Sequence, residues 1–109
     1  MSTTREDAPL ADGRGWTFLT NHAHVLLVIA QDRTARIRDI AAIVGITERA
    51  AQAIVTDLET GGYLTRSRVG RRNEYTVNPN GPFRHPVEAG HHIGDLLDLF
   101  AGEPAGLNT

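Results

Sequence analysis

Cysteine is absent from the sequence, which excludes a disulfide framework, thiolate metal sites and cysteine catalysis. Serine occurs only as Ser2 and Ser67, one in a polar terminal stretch and one on an expected hairpin, neither with a base beside it. A phosphate-binding glycine loop and the HExxH pattern are missing as well. The sequence therefore reads as a non-enzyme, with no cofactor implied. Long apolar runs are also lacking: the longest, Val25–Ala30, falls far short of the roughly 18 residues of a membrane span. Residues 1–15 hold no apolar core of the kind a secretory signal needs. A cytoplasmic protein without a membrane partner is the expectation. Hydrophobic residues make up 40% of the 109 positions, enough for one domain with a modest core.

Lysine is absent too, so all eleven basic residues are arginine, set against thirteen acidic ones for a formal net charge of −2. The charges are unevenly spread. Arg66, Arg68, Arg71 and Arg72 fall in one short stretch opposed locally only by Glu74, whereas the chain from residue 85 onward carries Glu88, Asp95, Asp98 and Glu103 and no arginine. A basic edge on a mildly acidic body suits a protein that meets a polyanion on one face.

Local patterning gives the elements. Residues 1–15 and 102–109 are polar, with few large apolar groups, and read as disordered tails. Thr20 or Asn21 caps a helix running to about Gln31, which makes the apolar run Val25–Ala30 a buried helix and not a strand. After a turn at Asp32–Ala35, Arg36-Ile37 is a candidate short strand. Ile37, Ile40, Ala41 and Val44 then follow the i, i+3, i+4, i+7 spacing of one helical stripe, ended by Gly45. Thr47 caps the next helix, which runs to about Thr60 with Glu48 in its first turn. Its stripe is Ala51, Ile54, Val55 and Leu58. At about 100° per residue, Arg49, Ala53, Thr56 and Thr60 point the other way, with Gln52 at the margin. That outer face carries no large apolar group and no negative charge.

Gly61-Gly62 stops this helix, and a hairpin spans Leu64–Val77. Its returning strand, Glu74–Asn78, turns Tyr75 and Val77 inward, and residues 69–73 form its tip around Gly70. Residues 78–82 (Asn-Pro-Asn-Gly-Pro) are a loop. A last helix is expected from Pro86 to about Phe100, with Ala89, Ile93, Leu96, Leu97 and Phe100 as its stripe, and with Gly90 and Gly94 spaced to admit another helix closely. That stripe needs a cover. Either the helix folds back on the first one or it meets its own copy; a homodimer is the expected outcome, because small DNA-binding domains usually pair to read two half-sites.

Helix, glycine corner, helix and basic hairpin in this order make a winged helix-turn-helix: mainly α with a small β-hairpin, a three-helix core, a two- or three-stranded wing and an extra C-terminal helix. The domain covers 16–79, and 80–101 form a linker and dimerisation helix. The run IRDIAAIVGITERAAQAIVTDLETGGYL, Ile37–Leu64, and the wing RSRVGRRNEY resemble bacterial MarR-like and ArsR-like transcriptional regulators. The C-terminal helix is similar to their dimerisation helices. By this resemblance, Thr47–Thr60 is the base-reading helix and Arg66–Asn73 the phosphate-gripping wing. The cysteines that ArsR-like metal sensors commonly use are missing here.

Side-chain chemistry gives each candidate a role on double-stranded DNA. Arg49 suits guanine O6 and N7, Gln52 suits adenine, and Ala53 suits a thymine methyl. Thr47 and Thr56 suit phosphates at the groove edge, and Arg66, Arg68, Arg71, Arg72 and Asn73 suit the backbone or the minor groove. Blander readings stand beside these. An exposed helical arginine is ordinarily just solvated, Glu48 is a helix-start anion, and basic residues on a hairpin guard its edge from pairing. Trp16 and Phe18 read as core or interface residues. His22 and His24 lie about 200° apart on a helix and cannot share a metal ion. His91 and Asp95 share a face but lack a third ligand, so no metal site is expected. Besides sequence-specific regulation, two readings remain: a winged helix that contacts protein, and a regulator gated by a small molecule between the first and last helices, for which the sequence offers no polar anchor.

Overall fold

The computed structural model describes residues 15–101, so the tails expected at 1–15 and 102–109 lie, but for Gly15, outside the described residues. Helix α1 spans Asn21–Gln31 and is capped by Thr20, whose hydroxyl accepts the Ala23 N–H. The apolar run is helical because Val25, Leu26 and Ile29 fall on one face and bury together. Helix α2, Ile37–Val44, ends at Gly45 with φ 88° and ψ 34°, a left-handed geometry that a Cβ would strain. The N–H groups of Gly45 and Ile46 both reach the Ala41 carbonyl, at 2.8 and 3.0 Å, which closes the corner. Helix α3, Glu48–Thr60, starts from Thr47, whose side chain accepts the Ala50 N–H at 3.0 Å. It buries Ala51, Ile54, Val55 and Leu58, the stripe read from spacing.

Strands β1 (Leu64–Val69) and β2 (Arg72–Val77) pair antiparallel, Leu64 opposite Val77 and Val69 opposite Arg72. The returning strand thus begins two residues earlier than expected, and the turn shrinks to Gly70-Arg71. Tyr75 is inside at 2% exposure, with Val77 packed against the core. The candidate strand at Arg36-Ile37 does not form: Arg36 is the residue before α2, and Ile37 is already helical. The outer edge of β2 is met instead at Arg33, whose carbonyl accepts the Tyr75 N–H at 2.9 Å while its Nε donates to the Tyr75 carbonyl at 3.0 Å.

Helices α1–α3 and the hairpin share one core, with Val25, Ile29, Ile40, Ala51 and Val55 fully enclosed. This is a winged helix-turn-helix: a three-helix core, a corner at Gly45 and a two-stranded wing.

The C-terminal segment departs from expectation. A single helix from Pro86 does not form; a 3-10 turn at Pro86–Glu88 is followed by Gly90 at φ 89°, and helix α4 spans only Ile93–Phe100. Backbone pairing accounts for the break. Phe83 N–H donates to the His91 carbonyl at 3.1 Å and Ile93 N–H to the Gly81 carbonyl at 2.8 Å, which holds His92 extended (φ −116°, ψ 154°) and blocks helix there. Ala89 therefore lies outside the helix and is exposed. Gly94 does permit a close approach, but to the chain's own loop: its N–H donates to the Pro79 carbonyl at 2.9 Å, and a Cβ would come within 2.8 Å of that oxygen. Helix α4 packs back on α1. Ile93 enters the common core and Leu97 packs against it.

Candidate nucleic-acid interface

The residues proposed to read bases sit together on the outer face of α3. Arg49, Gln52, Ala53 and Thr56 are all exposed, as is the capping Thr47. Gln52 Nε2 donates to Thr56 Oγ1 across one helical turn at 3.4 Å, a long bond that biases the amide along the helix axis and is readily exchanged for another partner. Thr47 uses an oxygen lone pair on the Ala50 N–H and keeps its hydroxyl proton to donate. Arg49 has no carboxylate within 4.0 Å among the described residues, so its planar donor set faces solvent.

The wing arginines, adjacent in sequence, are separated by the strand pleat. In the hairpin register Arg66 faces Tyr75 and Arg68 faces Asn73 on the side that also carries Leu64 and Val77, while Arg72 pairs with Val69 on the other side. Arg66 is engaged within the chain: its Nε lies 3.1 Å from Glu59 Oε2 of α3, which fastens the wing to that helix. It also stands beside the Tyr75 phenol. Burial pushes that phenol above its ordinary value, and the Arg66 charge works in the opposite direction. Arg68 Nε donates to the Gly70 carbonyl at 3.4 Å and closes over the turn. Arg71 occupies the turn itself. Arg72 Nη2 donates to the Thr34 carbonyl at 3.1 Å, reaching the segment ahead of α2. Asn73 is half-buried. Among the described residues Arg68, Arg71 and Arg72 have no carboxylate oxygen within 4.0 Å, while Arg66 is paired with Glu59.

Arg33 and Arg36 also belong to this basic surface and escaped the sequence reading. Arg33 is placed by its bonds to Tyr75 and lies 3.7 Å from Glu74 Oε2. No local pattern marks either residue, since the turn that carries them reaches the wing only in the folded chain. His22 and Asp57 form another unforeseen pair, Nε2 to Oδ2 at 2.8 Å, joining α1 to α3. They stand at the rim of a cleft of about 830 Å³ walled in part by Thr20, Leu26, Tyr63 and Ile93. His24 lies 3.3 Å from Asn21, away from His22, and His91 lies 3.8 Å from Asp95. Among the described residues no three metal-ligating side chains come together.

The stripe expected to form a dimer divides. Ile93 is buried in the chain's own core, Leu96 and Leu97 are half-buried, and Phe100 is 37% exposed. Leu99, which lies off the expected stripe, is 70% exposed. Trp16 and Phe18 are not core residues; they stack edge to face, centroids 4.9 Å apart, at 71% and 92% exposure. No helix among the described residues is long and apolar enough to cross a membrane.

No protein-family profile and no curated protein matches the chain. Among solved structures it is similar to MepR, a transcription regulator of the Staphylococcus aureus multidrug efflux pump MepA, with 20% identity and a TM-score of 0.48. The similarity covers 69% of this chain and 56% of MepR, a little over half the length of that protein.

Proposed function

We propose that this chain is a sequence-specific, double-stranded DNA-binding transcriptional regulator of the cytoplasm, not an enzyme, acting as a homodimer. The observation that carries the reading is the outer face of α3. A helix used only for packing commonly shows carboxylates to solvent; here the patch Arg49, Gln52, Ala53 and Thr56 is exposed, small or hydrogen-bonding, and free of acid. The wing stands beside it with Arg68, Arg71 and Arg72. With α3 in the major groove, Arg49 would donate to guanine, Gln52 to adenine, and Ala53 would meet a thymine methyl. The wing arginines would bind phosphate or a narrowed minor groove. Neutralising about six phosphates per dimer gives a salt slope of about −5, a loss on the order of a thousandfold in affinity between 50 and 200 mM salt. The deciding experiment is selection of fragmented genomic DNA by the purified chain at about 150 mM salt. Two inverted half-sites about one helical turn apart support the reading; no enriched motif favours a protein-contacting winged helix.

A second reading has its own observation. The cleft between α1, α3 and the C-terminal segment joins an apolar floor, Leu26, Tyr63 and Ile93, to a polar rim of Thr20, His22 and Asp57. A small molecule seated there would touch the recognition helix directly, which would gate DNA affinity. Trp16, on the segment leading into α1, is the fluorescent reporter for a ligand screen.

A further inference from the structure

Beyond its first residue the wing has little apolar hold on α3. Leu64 is buried, but every later position of β1, from Thr65 to Val69, is exposed. The pleat brings Arg66 onto the face that carries Leu64, and there its Nε lies 3.1 Å from Glu59 Oε2. Among the described residues no other ion pair or side-chain hydrogen bond joins α3 to either strand. The remaining wing attachments, Tyr75 to Arg33 and Arg72 to the Thr34 carbonyl, run to the segment ahead of α2. Both partners of the α3 pair are partly shielded, Glu59 at 23% and Arg66 at 44% side-chain exposure, and Arg66 stands opposite the enclosed Tyr75 in the hairpin register. An acid is otherwise poorly placed at Glu59. It lies in the last turn of α3, where the helix dipole disfavours negative charge, and it repels any polyanion that approaches this helix. The guanidinium at 3.1 Å answers both costs.

We propose that Glu59 is a positioning residue: through Arg66 it fixes the angle of the wing against α3, so that an acid on this module strengthens DNA binding. The use on DNA rests on the function proposed above; the hold on the wing does not. With the hairpin fixed, Arg68, Arg71 and Arg72 meet a duplex already aligned with the outer face of α3, and less freedom is lost on binding. The same pairing takes Arg66 out of the set of phosphate ligands. Neutralising Glu59 therefore has a sign that decides its role. If Glu59 only repelled DNA, its loss would release Arg66 to a phosphate, tighten binding and steepen the salt slope. If it positions the wing, its loss weakens binding.

The experiment is a double-mutant cycle of Glu59→Gln, Arg66→Gln and the two combined, with affinity for a labelled random-sequence duplex read by fluorescence anisotropy across a salt series. Glu59→Gln is expected to weaken binding by up to about fivefold without steepening the slope, and the double variant to lose no more than Arg66→Gln alone. Residual dipolar couplings of the isotopically labelled full chain, without DNA, read the wing's angle directly. In the native chain the amides of 48–60 and 64–77 should share one alignment. In either single variant the hairpin should depart from it, while 21–31 and 48–60 still agree, which controls for folding. Tighter binding or a steeper slope in Glu59→Gln overturns the proposal, as does a hairpin whose couplings do not change. Altered couplings with unchanged affinity overturn it as well, because the brace would then play no part in binding. If the native chain binds no duplex, the proposed function fails, and the couplings alone decide whether Glu59 orients the wing.

Discussion

Helix α3 hides Ala51, Ile54, Val55 and Leu58 from solvent, whereas α4, with an equally regular stripe, buries only Ile93 and leaves Phe100 37% exposed. The surroundings explain the difference. Helix α3 runs between α1, α2 and β1, so every turn of its stripe meets another element. Helix α4 arrives after a punctuated loop and touches α1 along one edge, its first turn held by the Gly81 and Pro79 carbonyls. A helical stripe states that a cover is required; the chain's own topology states whether it is supplied. At α4 the supply is incomplete, and a homodimer remains our proposal for the remainder, with Leu99, Phe100 and the exposed Trp16 and Phe18 as its candidate surface.

The contrast can be broken by paired truncations. Leu58→Ala, inside the α3 stripe, is expected to cost about 2–5 kcal/mol in urea denaturation, while Leu97→Ala in α4 should cost about 1 kcal/mol. Equal losses would mean that α4 is as much a part of the core as α3. The outer face of α3 comes next in size. Arg49→Ala should lose about 1–3 kcal/mol at particular base pairs and relax preference there. Arg71→Ala combined with Arg72→Ala should weaken binding to all sequences and flatten the salt slope, by roughly one unit per lost phosphate contact. Salt-titrated binding to selected and scrambled DNA separates the two, and equal losses on both for Arg49→Ala would remove its base-reading role. Thr47→Ala should destabilise the fold by about 1 kcal/mol through the lost cap on Ala50, seen as a lower urea midpoint. The smallest change expected is Leu99→Ser, within about 0.5 kcal/mol for the folded monomer. In sedimentation it should nevertheless weaken self-association. A monomeric native chain would instead leave α4 as a fold-back element alone.

Much of the fold was legible because its causes are local. Thr20, one of the two caps allowed for α1, and Thr47 cap their helices, Gly45 turns the corner with positive φ, and the α3 stripe is buried residue for residue. The outer face of α3 follows by the same geometry, since a helix that buries one side must present the other. The wing was legible as a hairpin but not in its charge arrangement. Four arginines read as one cluster became one brace on Glu59, one closure over Gly70, one turn residue and one tether to Thr34. The C-terminal helix was overextended because Pro86, Ala89 and Ile93 fit a helical spacing that the pairing of 81–83 with 91–93 overrides.

Periodicity, capping and turn chemistry act over a few residues, so the order of elements, the buried faces and the direction of α3's polar side were already written into the order of amino acids. Contacts spanning dozens of positions carry no such local mark. Arg72 meets Thr34 across 38 residues, Arg33 meets Tyr75 across 42 and His22 meets Asp57 across 35. Those contacts exist because three helices and a hairpin close on one core. Closure brings the turn ahead of α2 against the wing and leaves α4 half covered.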